Sequence, residues 1–210
     1  MDVSIGPDQQ LVIETAARLA DSFATTSTAG LPPRDDRGDA WRQLVETGFV
    51  GLRLPESVGG GGATGVDVAL IVEQFARSLS TVPFLGQAVL APELLRVAGA
   101  ADDLLASVVS GERRITVAFD PSLRTFADAG RPGVAVDAAG ADGALAFAAD
   151  GSLVVVPIDR GEDGAVAAPI AAADLTRVLV ATADGSGATV VGGPLAAEQR
   201  LHRPRAPRSA

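Results

Sequence analysis

Residues 41–65, WRQLVETGFVGLRLPESVGGGGATG, decide how this chain is read. Trp41, Leu44 and Val45 share one side of a short helix at the 3.6-residue period, and Gly48 stops it. An apolar crossing over residues 49–54 follows, then Pro55-Glu56 and a glycine run over residues 59–62. A residue with a Cβ takes positive φ at a cost of about 1–2 kcal/mol and glycine does not, so this run lets the backbone reverse sharply. The reversal leads into a helix start. Thr64 and Asp67, three apart, make a capping-box-like pair in which the hydroxyl satisfies an orphan N–H. Val68, Ile71, Val72, Phe75 and Leu79 then line one helical face.

Upstream, Gly6-Pro7-Asp8 sets a helix start, and Val12, Ala16, Leu19 and Phe23 form a core-facing stripe. Residues 24–38, rich in Thr, Gly, Pro and charge, read as a surface loop. Downstream, Pro83 breaks the chain, and helices are expected over residues 84–97, closed near Gly99, and 102–109, ending at Gly111. From Arg114 the period becomes strand-like. Short apolar runs at 115–119, 144–148, 153–158, 178–181 and 189–191 are bounded by Gly, Pro and Asp. Asp150-Gly151 between two of them predicts a hairpin with a type I′ turn. The expected fold class is α+β: an N-terminal all-α domain at 1–112 and a small antiparallel β-barrel or sheet domain at 113–193. A disordered basic tail at 194–210 completes the chain, carrying Arg200, Arg203, Arg205 and Arg208 with Pro204 and Pro207.

The 210 residues are enough for one large domain or two small ones. Apolar residues make up 47% but aromatics only 4%, so the core should be built of small aliphatics. Lys and Asn are absent and every basic residue is Arg, which points to coding bias and carries no function. A net charge of −9 argues against nucleic-acid binding, which needs clustered positive charge. The absence of cysteine removes disulfides, thiolate catalysis and thiolate metal sites. No apolar run approaches the roughly 18 residues of a membrane span, and the N-terminus has no secretory pattern, so a soluble cytoplasmic protein is expected.

Trp41, Leu44, Gly48, Gly51-Leu52, Pro55-Glu56 and Gly59-Gly60, followed by a glycine-rich turn and a long helix, resemble the N-terminal helical domain of the acyl-CoA dehydrogenase family. The resemblance covers roughly residues 5–193; residues 136–148 and Asp174-Leu175-Thr176-Arg177 look like parts of a shortened middle domain. It implies a helical domain, a β-barrel domain and a C-terminal four-helix bundle. The implied activity is α,β-dehydrogenation of an acyl-CoA thioester, of a fatty acid or a steroid side chain, with FAD as cofactor, in a homo- or hetero-oligomer. Family members draw the catalytic base and an Arg-containing flavin motif from the C-terminal domain. No residue here matches either, and truncation or a frame change near residues 193–200 is expected. A non-catalytic partner subunit or inactive remnant is the alternative. A helical-plus-β binding module unrelated to flavin is a third reading.

Where the family carries Thr-Glu-Pro before Gly-Ser-Asp, this chain has Val117-Ala118-Phe119-Asp120-Pro121-Ser122. The resemblance therefore implies flavin contact at Phe119, Asp120 and Ser122, against a strand end with an ordinary turn. No catalytic or metal-binding residue is assigned. Gly60, Gly62 and Gly65 satisfy G-x-G-x-x-G, but the preceding apolar run is set off by residues 55–58 and no second strand with an acid follows, so a turn is expected. His202, the sole histidine, has no nearby carboxylate or second histidine. Asp35-Asp36 and Asp102-Asp103 read as loop and helix-start acids. Glu56 is expected to hold the glycine turn through glycine N–H groups, and Thr176-Arg177 to pack a strand or interface.

Overall fold

A computed structural model of the chain describes residues 5–24, 38–158, 178–180 and 187–195. Helix α1 (Pro7–Ser22) opens with proline in its first turn, and the Gln9 side chain accepts from the Gly6 N–H at 3.2 Å. Ala16 and Ala20 are fully buried. Helix α2 (Gly38–Glu46) buries Trp41 and Leu44. In α3 (Gly65–Arg77) the Thr64–Asp67 box forms as read, with the Asp67 carboxylate taking the Thr64 N–H at 2.9 Å. Gln9 donates to Asp67 at 2.8 Å and Ser78 to Asp21 at 2.6 Å, so α1 and α3 lie side by side pointing the same way. Phe75 stacks on Phe84 at 4.2 Å and meets Phe49 edge-on at 6.3 Å, which centres this first core.

Helices α2 and α3 end alike. After α2, Gly48 N–H donates to Val45 and Phe49 N–H to Leu44, with Gly48 at φ +72°. After α3, Leu79 N–H donates to Ala76 and Ser80 N–H to Phe75, with Leu79 at φ +47°. Both are Schellman caps. Leu79 therefore leaves the helical face on which its spacing placed it and stands 66% exposed.

The segment read as one helix over 84–97 is two windings. Residues Phe84–Leu90 form a π-helical turn, with Ala91 N–H reaching back to Gly86, and α4 (Ala91–Val97) follows. Pro92 supplies the cause. It has no N–H for the Ala88 carbonyl and its ring crowds that carbonyl in a regular helix. The Ala88 oxygen instead accepts the Gly51 N–H at 3.0 Å, which seats the 49–54 crossing against the helix. Helix α5 (Asp102–Val109) has the bounds expected.

Six strands follow: β1 (Ile115–Phe119), β2 (Gly133–Ala135), β3 (Gly143–Phe147), β4 (Leu153–Pro157), β5 (Val178–Val180) and β6 (Thr189–Gly192). They make one sheet in the order β5-β2-β1-β3-β4-β6. The α+β reading, helices first and a small sheet after, holds. Its pairing is mixed, since β1 and β3 run parallel while every other pair is antiparallel. Strand β2 was not read: it is three residues long and begins at a glycine that lies against Phe119 and Ala127. The β3–β4 hairpin forms, but only Gly151 has positive φ, at +88°. Gly151 N–H donates to Ala148 and Ala148 N–H to Ser152, a type I-like turn with a glycine bulge in place of the expected type I′ turn.

The sheet sorts residues by size. Ile115, Val117, Leu145, Leu153 and Val155 face α4 and α5, where they meet Leu95, Leu105 and Val108. The alternating positions, Ala118, Ala135, Ala144 and Ala146 with Val154 and Val156, line the other face, closed by Ala127, Ala138 and Ala141. Among the described residues no helix is long and apolar enough to cross a membrane. The expected disordered tail falls mostly outside the described residues, as do His202, Asp35-Asp36 and Thr176-Arg177.

Candidate functional site

Strand β1 delivers Phe119 to its C-terminal end, and the chain turns at once. The Asp120 carboxylate organises that turn: one oxygen accepts the Arg124 and Thr125 N–H groups at 2.8 and 3.0 Å, the other the Ser122 hydroxyl at 2.5 Å. These bonds favour the charged form, the Ser122 hydroxyl most of all, and hold the Asp120 carboxyl at about 2, against 3.8 ordinarily. Phe119 and Asp120 are half-buried, Phe119 stacking on Phe126 at 5.1 Å, while Ser122 is exposed. The structure thus brings Phe119, Asp120 and Ser122 to one exposed turn beside an aromatic pair.

A polar seam joins the π-helical turn to the sheet. Gln87 is fully buried and donates to the Asp137 and Ala139 carbonyls at 2.5 and 2.9 Å, while its own carbonyl accepts from Arg114 Nε at 3.0 Å. The Arg114 guanidinium also donates to Ala139 at 2.7 Å and lies 4.7 Å from the Trp41 ring centroid. Gly86 N–H donates to the Asp137 carboxylate at 2.7 Å, and Thr116 Oγ1 donates to the Val136 carbonyl. The sequence reading missed Gln87 and Arg114. A glutamine inside an otherwise apolar helical run was the available signal.

The glycine run is a turn, as read. Gly59 N–H and Gly60 N–H donate to the backbone carbonyls of Glu56 and Pro55 at 2.9 and 3.0 Å. Glu56 therefore acts through its backbone; its exposed carboxylate takes none of the glycine N–H bonds the sequence reading expected of it. A Cβ on Gly60 would lie 2.3 Å from the Leu54 carbonyl oxygen, so the run is needed for close approach of two chain segments. Among the described residues no strand precedes it, and the run builds a turn, not a phosphate loop of the dinucleotide type. A cleft beside the crossing, between Leu54 and Pro92, encloses only ≈ 10 Å³, far below the 300–1,000 Å³ usual for ligand pockets.

The carboxyls of Asp67, Asp120 and Asp150 are all held below their ordinary value. Hydrogen bonds from Gln9, Ser122 and Ser152 respectively are the main cause, and each group is committed to a cap or turn. None is poised to take a proton near neutral pH. Among the described residues no cluster of metal-ligating side chains occurs.

A layer of helices joined by glycine-capped turns, docked on a small β sheet that follows it in sequence, defines a recognisable class. The model of the acyl-CoA dehydrogenase N-terminal domain matches residues 6–112, and the chain belongs to the acyl-CoA dehydrogenase family. It is 30% identical over 118 residues to acyl-CoA dehydrogenase IpdE2 of Mycobacterium tuberculosis, covering 54% of this chain and 37% of that protein. In fold it is similar to the ChsE4-ChsE5 complex of Mycobacterium tuberculosis, with TM-score 0.65 and 24% identity over 92% of this chain and 59% of that one. PigA with FAD and proline matches with TM-score 0.65 and 16% identity over 93% of this chain and 60% of that one. The chain thus spans little more than a third of IpdE2 and about three-fifths of these solved chains.

Proposed function

We propose that this chain forms the helical and β portions of an acyl-CoA dehydrogenase-like flavoprotein, which converts an acyl-CoA thioester to its α,β-unsaturated form. The observation that carries this is the family match over residues 6–112 running directly into a sheet with the element order of that fold. We divide the chain accordingly into a helical domain at 1–112, a middle β domain at 113–193 and a basic tail at 194–210.

The cofactor of the proposed reaction is FAD, which accepts hydride from the β carbon when bound. The turn after β1 fits it in part. Phe119 offers an apolar ring edge, and Ser122, whose proton goes to Asp120, offers an exposed oxygen as acceptor. Asp120 already accepts three hydrogen bonds and serves to shape the turn. Removal of the α proton needs a carboxylate free to accept it, and the committed carboxyls of Asp67, Asp120 and Asp150 do not qualify. Because the resemblance places the base in a C-terminal helical portion, and this chain spans about three-fifths of the solved chains it matches, the base is assigned to such a portion or to a partner subunit, in the cytoplasm and without nucleic acid or membrane. Similarity to the two-protein ChsE4-ChsE5 complex supports a second reading, that of a non-catalytic partner subunit.

The two readings separate on titration with FAD, followed by flavin absorbance and Phe119→Ala or Ser122→Ala variants. Flavin retained by the chain, or by the chain with a co-expressed partner, and weakened by these substitutions supports the flavoprotein. Turnover of an acyl-CoA with a dye acceptor only when the partner is present selects the subunit reading. A colourless protein in every combination overturns both.

A further inference from the structure

We infer that Arg114 is a latch coupling two separate cores, and that its release lets helices α1–α3 open as a unit from the sheet. The apolar interior is divided. Trp41, Leu44, Ile71 and Phe75 belong to one cluster, formed by α1–α3 and the π-helical turn. Leu95, Leu105, Ile115 and Leu145 belong to another, in which α4 and α5 pack on the sheet. The 49–54 crossing changes allegiance along its length, Leu52 lying in the first cluster and Leu54 in the second.

Arg114 stands where these cores meet. Its guanidinium lies on Trp41 of α2, donates to Gln87 of the π-helical turn and reaches the Ala139 carbonyl, while its backbone N–H donates to the Asp142 carboxylate at 2.9 Å. Gly140, at φ +70°, makes room for it: a Cβ there would lie 2.1 Å from Nη1. A planar fork can satisfy two acceptors and stack at the same time, which an ammonium cannot. Trp41 Nε1, buried without a partner, lets the ring be held by its face and by packing, not by a hydrogen bond of its own. Cooperative units within one fold open with different free energies, and removing the Arg114 guanidinium deletes its contact with Trp41 of α2 while Gly86 and Gln87 still hold the π-helical turn to the sheet side.

Trp41 is the only tryptophan and tyrosine is absent, so intrinsic fluorescence reports this seam alone. In the 210-residue chain, urea unfolding followed by Trp41 emission and by hydrogen exchange of β3 and β4 should coincide. In Arg114→Ala the Trp41 transition should move to lower urea ahead of the sheet. Amide exchange in α1–α3 should rise roughly tenfold or more in native conditions while that of β3 and β4 stays unchanged. Should Arg114→Ala fail to fold, Arg114→Lys keeps the charge over the ring, loses the fork and is read in the same way. Two probes that shift together in the folded variant would make Arg114 an ordinary stabilising residue and overturn the latch.

Discussion

Asp120 illustrates how a residue's place can be legible while its task is not. The run Phe119-Asp120-Pro121-Ser122 marks a strand end and a turn, but only geometry shows that the carboxylate is spent inside the turn it creates. Because its pKa is lowered on folding, its contribution to stability is present above the unfolded value near 3.8 and is lost as pH falls through about 2. A carboxyl titration by NMR should find that midpoint near 2, and in Ser122→Ala it should climb toward 3.8, since the Ser122 hydroxyl is the largest cause of the shift. An unmoved midpoint would show that the backbone N–H groups suffice. Arg114 was invisible for the opposite reason: it meets partners distant in sequence and no local pattern announces it, whereas Gln87 left only the trace of an amide inside an apolar helical run.

Among the elements, most helix bounds were readable because their ends carry chemistry. Gly48 marks a left-handed cap, and Thr64 with Asp67 marks a start. Leu79 adopts the same capping geometry without the glycine that would have signalled it, and so misled the reading. A side chain there costs about 1–2 kcal/mol, whereas glycine's extra unfolded-state freedom costs roughly 0.5–1 kcal/mol. Leu79→Gly should therefore stabilise the chain by about 0.5–1 kcal/mol in urea unfolding, because the leucine is largely exposed and little burial is lost with it. Strand β2 was missed because three residues give no period, and its position depends on pairing to both β1 and β5. The parallel β1–β3 pair was equally illegible, since alternation sets which face a residue takes but not which way its neighbour runs.

At the level of the whole molecule, composition proved informative in an unexpected place. Scarce aromatics and abundant alanine predicted a core of small side chains, and the sheet uses them on one side only. Alanine-lined packing leaves no space to give. Ala144→Leu, at a fully buried position, should destabilise by about 1–3 kcal/mol in chemical denaturation, through overpacking rather than lost burial. A midpoint equal to the parent would mean that the small-residue face tolerates volume. Family membership was legible from the glycine-hinged stretch, because close backbone approach leaves a trace in sequence that aliphatic packing does not. The Pro92 junction also ties distant parts of the chain together. The carbonyl that Pro92 leaves without a helical donor is the one that Gly51 reaches, so a gap in the local ladder becomes an anchorage for the crossing. An imino acid best known for interrupting order thereby frees the acceptor on which a remote loop is moored.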